Sequence, residues 1–286
     1  MALRINYNLA ASVAQRSLAT SQDAYSRQAE RLSTGLRINK AGDDAAGLAV
    51  SEKLKNQIRG LNQAQRNAQD GISLIQTAEG ALNETHTILS RMRELAVQSA
   101  NDTLTASDRA NLSTEFTHLY AEVERIANTT QFNTSPLLNS SGAATALTFQ
   151  IGASAGQVVT IDLADYGSQG PITGELTGDI GALVPTIEVG TVQGANSVLS
   201  VLDRAMDKVN ADRAKMGAVM NRLAHVIENL STISTNSSAS RSQIEDADYA
   251  KASSDMARAQ IIQQAATAVL AQANASEQTV LKLLQG

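Results

Sequence analysis

The sequence predicts a mainly α fold: a rod of long antiparallel coiled-coil and bundled helices, with a small β-hairpin region in the middle of the chain. Three observations lead there. Apolar residues recur at intervals of seven in several separate segments, the spacing that lays one stripe along a helix for a neighbour to cover. The 286-residue chain has only 3 Pro, at 136, 171 and 185, so both flanks can run as unbroken helices. With 5 Tyr, 3 Phe and no Trp, the apolar material is mostly Ala, Leu, Ile and Val, which suits narrow helix seams rather than a wide interior.

In the first segment Ala11, Leu18, Tyr25 and Leu32 repeat at seven, with Leu9 and Val13 nearby. Next comes RLSTGLRINKAGDDAAGLAVSEKL, where Gly35, Gly42 and Gly47 stand among polar residues. Glycine costs about 1 kcal/mol in a helix interior, so a boundary is expected here, with Asp43 or Asp44 capping the restart. Leu54, Leu61, Ala68, Ile75, Leu82, Leu89 and Ala96 then mark one long helix. A second stripe, Leu74, Ala78, Ala81, Thr85, Ile88, Met92 and Leu95, gives that helix neighbours on two sides. Leu112, Phe116, Leu119, Val123 and Ile126 define the next helix, with Ser107 and Asp108 as its expected caps.

From about Leu137 to Asn196 the helical period vanishes. Leu147, Phe149 and Ile151, then Val159, Ile161 and Leu163, alternate with polar residues around GASAGQ, the pattern of a β-hairpin. A further short strand is expected over Thr186 to Val192. Heptads return at Leu202, Met206, Val209, Arg213, Met216, Met220, Leu223, Ile227 and Leu230, with Arg213 as the polar interruption. The last segment carries Ala259, Ile262, Ala266, Val269, Ala273, Ser276, Val280 and Leu283.

The two terminal segments are expected to pair, yet their Ala-rich seams bury little against an ordering cost of roughly 1–2 kcal/mol per residue. They are therefore expected to order only when other copies cover them. The expected organisation is a terminal coiled-coil domain, 1–44 with 246–286; a helical rod domain, 45–136 with 197–245; and a short β-rich part, 137–196. Candidate core residues of the rod are Leu54, Leu61, Ile75, Leu82, Leu89, Phe116, Leu119, Val123, Met220, Leu223 and Ile227.

Bulk properties exclude other classes. No Cys is present, so no disulfide framework or thiolate metal site exists. The net charge of -5, without a Lys/Arg cluster, offers no field for nucleic acid. MALRINYNLAAS lacks a signal-peptide core, and no stretch reaches the roughly 18 apolar residues of a membrane span. His86, His118 and His225 lie in separate helical segments, and no HExxH, GK[ST] phosphate loop or GxSxG motif is found. No catalytic, cofactor-binding or metal residues are expected.

The seam residues also carry recognisable text. MALRINYNLAASVAQRSL, RLSTGLRINKAGDDAAGLAVSEKLKNQIRGLNQAQRNAQDGISLIQTAEGAL, RMRELAVQSAND and TTQFN resemble the amino-terminal region of bacterial flagellins. GAVMNRLAHVIENL, ASRSQIEDADYAKASSDMARAQIIQQAATAVLAQAN and VLKLLQG resemble the carboxy-terminal region. The resemblance implies a subunit that self-polymerises into the flagellar filament, a helical homopolymer whose chain ends line an inner tube. Leu9, Val13, Leu18, Tyr25, Leu32, Ile262, Ala266, Val269, Ala273, Val280 and Leu283 are the expected polymerisation seam. It further implies extracellular localisation without a cleavable signal peptide, and partners in the flagellar type III export apparatus with its chaperone, the filament cap and the hook-junction proteins. The large outer domains of bigger family members are expected to be absent. The family segment read by the vertebrate Toll-like receptor for flagellin matches LSRMRELAVQSAN, which places Arg91, Leu95 and, on the next helix, Glu115 as receptor or subunit contacts. For Leu95 packing within the bundle or between subunits is the primary expectation. A hook-filament junction protein is the nearer alternative; a catalytic middle section, or Ser and Thr there bearing sugars, are the others.

Overall fold

The computed structural model describes residues 8–139, 146–162 and 189–285, with side chains through 275. Among the described residues five helices account for nearly all of the structure: α1 (Leu9–Thr34), α2 (Ala45–Ser99), α3 (Ala106–Thr129), α4 (Val192–Glu245) and α5 (Tyr249–Gln285). The strands are β1 (Gln131–Phe132), β2 (Ser135–Pro136), β3 (Ala146–Gln150) and β4 (Val158–Asp162), paired antiparallel as β1 with β2 and β3 with β4.

The helix ends follow from particular side chains. Asn8 caps α1, its Oδ1 accepting from the Ala11 amide at 2.8 Å. Gly35 ends it in the left-handed region, at φ 73°, where a side chain is strained. The two aspartates before α2 take different tasks. Asp44 Oδ1 accepts the Gly47 amide at 2.8 Å and caps the helix, whereas Asp43 accepts the amides of Asn39 and Lys40 and closes the preceding turn. Gly47 lies inside α2, where a Cβ would stand 2.4 Å from Asp44 Oδ2 and 2.8 Å from the end of Ile38.

The cap of α3 differs from the expectation of Ser107 and Asp108. Thr105 is the N-cap and Asp108 the third helical residue, and the two form a reciprocal capping box. Arg109 then reaches back, donating to the carbonyls of Ser99 at 3.0 Å and Asn101 at 2.8 Å, and so satisfies the end of α2.

In the middle section β3 and β4 form the expected hairpin, with Leu147 opposite Ile161 and Phe149 opposite Val159. Leu163 lies outside the described residues. The expected strand over Thr186 to Val192 is not found. Residues 186–188 are outside the described set, Val189 and Gly190 form a turn, and α4 has begun by Val192 because Thr191 Oγ1 accepts the Gly194 amide at 3.2 Å. The small β1–β2 hairpin, unanticipated, turns on Asn133 and Thr134, both at positive φ.

The chain divides into two compact units, Met1–Ile58 with Thr235–Gly286, and Arg59–Ser234. The division falls inside α2 and α4. The second unit holds the main core. Both stripes of α2 contribute: Ala68, Ile75, Leu82, Leu89 and Ala96 from one, Leu74, Ala78, Met92 and Leu95 from the other. Phe116 and Val123 of α3, Leu202, Val209, Met216 and Leu223 of α4, and Val159 and Ile161 of β4 close around them. Leu119, Met220 and Ile227 pack at its edge. Leu61 lies in a separate small cluster with Ala64 and Leu230. Leu54, expected in this core, is instead half-buried and belongs to the first unit. Arg213 interrupts the α4 seam as expected; its Nε is buried without a hydrogen-bond partner, and its guanidinium stands 4.0 Å from Glu79.

Candidate assembly surface

In the first unit α1 and α5 pair antiparallel, and both ends of the pair are pinned. At one end Asn8 Nδ2 donates to the Ala273 carbonyl at 3.2 Å. At the other, Leu36 and Asp246 form an antiparallel bridge. That register brings Ala14 level with Ala266 and Ser21 level with Ala259. Ala252, Ala259, Ala266 and Ala273, spaced by seven, are the buried face of α5, while α1 buries Ala14 and Ser21. The Ser21 hydroxyl is satisfied within its own helix by the Leu18 carbonyl.

This seam is narrow. Burying a methyl or methylene contributes about 0.8 kcal/mol, against the roughly 1–2 kcal/mol per residue that ordering the backbone costs. Several larger apolar side chains of these helices add little within the chain, because they are exposed. Leu9 is 64% exposed, Val13 55%, Ile261 66%, Ile262 47% and Val269 58%. The run from Ala259 to Ser276 contains no charged residue. Uncharged helix surface with exposed Ile and Val suits an interface, yet only one face of α5 is covered here, and Ala265 and Ala268 are exposed beside the larger side chains. Along the seam runs a groove of 480 Å³, with Arg16, Thr20 and Ala24 on one wall and Asp255, Arg258 and Ile262 on the other.

The expected seam residues therefore separate into groups. Ala266 and Ala273 pack within the chain, whereas Leu9, Val13, Ile262 and Val269 face outward. Leu18, Tyr25 and Leu32 are half-buried. The side chains of Val280 and Leu283 lie outside the described set. Sequence reading missed the intrachain positions Ala14 and Ser21, and missed Ile261; the seven-residue spacing of 252, 259, 266 and 273 and the charge-free run were the signals for them.

The other candidate cluster lies in the second unit. Arg91 is exposed and ion-paired with Glu115 at 2.9 Å and with Glu94 at 3.1 Å. The Glu115 and Glu94 hydrogen bonds hold its guanidinium above the usual arginine range. Leu95 is fully buried in the core among the residues of the second stripe, where its primary expectation of bundle packing put it, so of the three named contacts only Arg91 and Glu115 are exposed. Of the histidines, His86 is half-buried and His118 and His225 are exposed, on three different helices. Among the described residues no helix is long and apolar enough to cross a membrane.

Comparison with known proteins places this geometry. Residues 5–143 match the bacterial flagellin N-terminal helical region, and residues 199–284 match the bacterial flagellin C-terminal helical region. Flagellin of Halalkalibacterium halodurans is 46% identical over 98% of this chain and 99% of its own length. Flagellin of Bacillus subtilis is 44% identical over 99% of this chain and the whole of its own. The flagellar filament 33 kDa core protein of Treponema phagedenis is 42% identical over 98% of this chain and 99% of its own. Among solved structures, Bacillus cereus flagellin superposes with a TM-score of 0.50 at 32% identity, over 58% of this chain and 88% of that one. A putative flagellar hook-associated protein from Vibrio parahaemolyticus, at 18% identity, shares the fold. With both helical regions matched and near-complete relatives above 40% identity, the chain belongs to the bacterial flagellins.

Proposed function

We infer that this flagellin is a structural subunit that self-polymerises into the flagellar filament, and that α1 and α5 are the surface through which its copies join. The observation that carries the reading is the α5 helix, which has no charged residue from Ala259 to Ser276 and leaves Ile261, Ile262 and Val269 exposed. A second copy supplies the missing apolar cover, through head-to-tail contacts that extend into a filament rather than closing into a ring. Terminal helices packed this way form the filament's inner tube.

The test replaces exposed residues, so folding is spared. The double variant Ile262→Asp, Val269→Asp is expected to stop elongation from filament seeds while the melting of the second unit stays unchanged. Normal elongation by that variant would contradict the reading.

Membership in the family also supports export through the flagellar type III apparatus with its chaperone, growth beneath a filament cap and attachment to hook-junction proteins, in an extracellular filament. Recognition by the vertebrate Toll-like receptor for flagellin is proposed to use the exposed Arg91–Glu115 pair, without Leu95. Arg91→Ala is expected to weaken receptor signalling at least tenfold without altering assembly; an unchanged response would remove the pair from that role.

A further inference from the structure

The break between α4 and α5 has no glycine or proline behind it. From Ala218 to Gln285 there is neither Gly nor Pro, yet the helix stops at Glu245 and restarts at Tyr249. A continuous helix would bond each amide to the carbonyl four residues earlier, so the amides of Ala247, Asp248 and Tyr249 would find Gln243, Ile244 and Glu245.

Three groups of that set are taken by the other end of the chain. The Ala247 amide donates to the Gly35 carbonyl at 2.9 Å. The Ile244 carbonyl accepts from Arg37 Nη2 at 2.5 Å. The Glu245 carbonyl accepts from the Arg37 amide at 2.6 Å. Around this exchange, Ser51 donates to the Glu245 carboxylate and Ile38 is buried. Gly35 is free to supply its carbonyl because α1 has just ended there.

We propose that residues 35–37 are a wedge that breaks a helix which would otherwise run continuously through Glu245–Tyr249, and that Arg37 is its principal positioning residue. The wedge exchanges helical hydrogen bonds for bonds between the chain ends, at a cost in helix continuity. In return it sets the start of α5 beside the end of α1, so the two helices present their apolar faces as a pair. One local feature competes as the cause: Asp248 caps α5 by accepting the Lys251 amide at 3.1 Å.

The experiment is backbone NMR on the full-length chain labelled with ¹³C-alanine, reading Ala247 in the break and Ala252 just inside α5. In the wild type the Cα shift of Ala252 is expected to be helical and that of Ala247 not, as Ala252 lies in α5 and Ala247 in the break. Arg37→Pro removes the guanidinium and the amide donor together and is expected to move Ala247 into the helical range while Ala252 stays helical. Arg37→Ala is expected to give partial conversion, and Arg37→Lys, which keeps a cation to bond the Ile244 carbonyl, to retain the wild-type pattern. Asp248→Ala is expected to leave the break in place. The proposal is overturned if Ala247 stays non-helical in Arg37→Pro, if Ala252 loses its helical shift along with it, or if Asp248→Ala alone makes the helix continuous. None of these readings depends on polymerisation, so they fail or succeed separately from the filament assignment.

Discussion

Thr105 and Asp108 show how much of a helix depends on two side chains. The carboxylate accepts the Thr105 hydroxyl at 2.7 Å and its amide at 3.1 Å, and these bonds lower the Asp108 pKa. Because the folded value is depressed, the stabilisation is fully present above the ordinary aspartate range and is lost as pH falls through the folded value. Acid titration of the second unit should therefore show an early loss at the start of α3, seen as faster amide exchange over residues 105–110, and Asp108→Asn should abolish that step. Thr105→Ala is expected to cost about 1 kcal/mol in chemical denaturation. Arg213 poses the opposite case. Its Nε is buried with no hydrogen bond and its partner Glu79 is distant, so desolvation is poorly compensated. Arg213→Met should raise stability by about 1 kcal/mol, measured as a higher denaturation midpoint; a fall would show that the guanidinium is worth more than its geometry indicates.

At the scale of elements, the β3–β4 hairpin is seated on α2 by close approach. A Cβ on Gly60 would stand 2.9 Å from that of Ala153, and Asn67 Nδ2 donates to the Gln150 carbonyl at 2.9 Å. Gly60→Ala should lift the hairpin tip, giving faster amide exchange over residues 152–157, whereas Gly71→Ala, whose nearest neighbours are at 3.4 Å, should leave it seated. The seven-residue stripes of α2 were readable because every member from Leu61 to Ala96 faces a neighbour, and the hairpin because Leu147, Phe149, Val159 and Ile161 alternate over one face. The terminal seam was less legible. Its intrachain contacts use Ala14, Ser21 and Ala259, side chains too small to stand out from a general Ala background, while the larger Ile262 and Val269 that draw the eye face outward. The N-cap at Thr105 lies two positions before the expected Ser107, while Asp108, the other expected cap, takes part in the capping box. A domain boundary was expected at residue 246, but apart from the Asp248 cap the hydrogen bonds that hold the break after Glu245 come from partners about 200 residues away, which no local pattern shows.

For the whole molecule, apolar residues are unequally shared. The second unit buries Leu, Ile, Val, Met and Phe from three helices and a hairpin, and a core of that kind can stand alone. The first unit buries chiefly alanines and leaves Leu9, Val13, Ile261, Ile262 and Val269 in water. On the proposed function, this shortfall is met by neighbouring copies in the filament. Hydrogen–deuterium exchange of the unmodified chain, compared as monomer and as seeded filament, tests it most directly. Residues 9–34 and 249–275 should exchange rapidly in the monomer and become strongly protected on assembly, while residues 68–96 stay protected in both. Terminal helices equally protected in monomer and filament would contradict the claim.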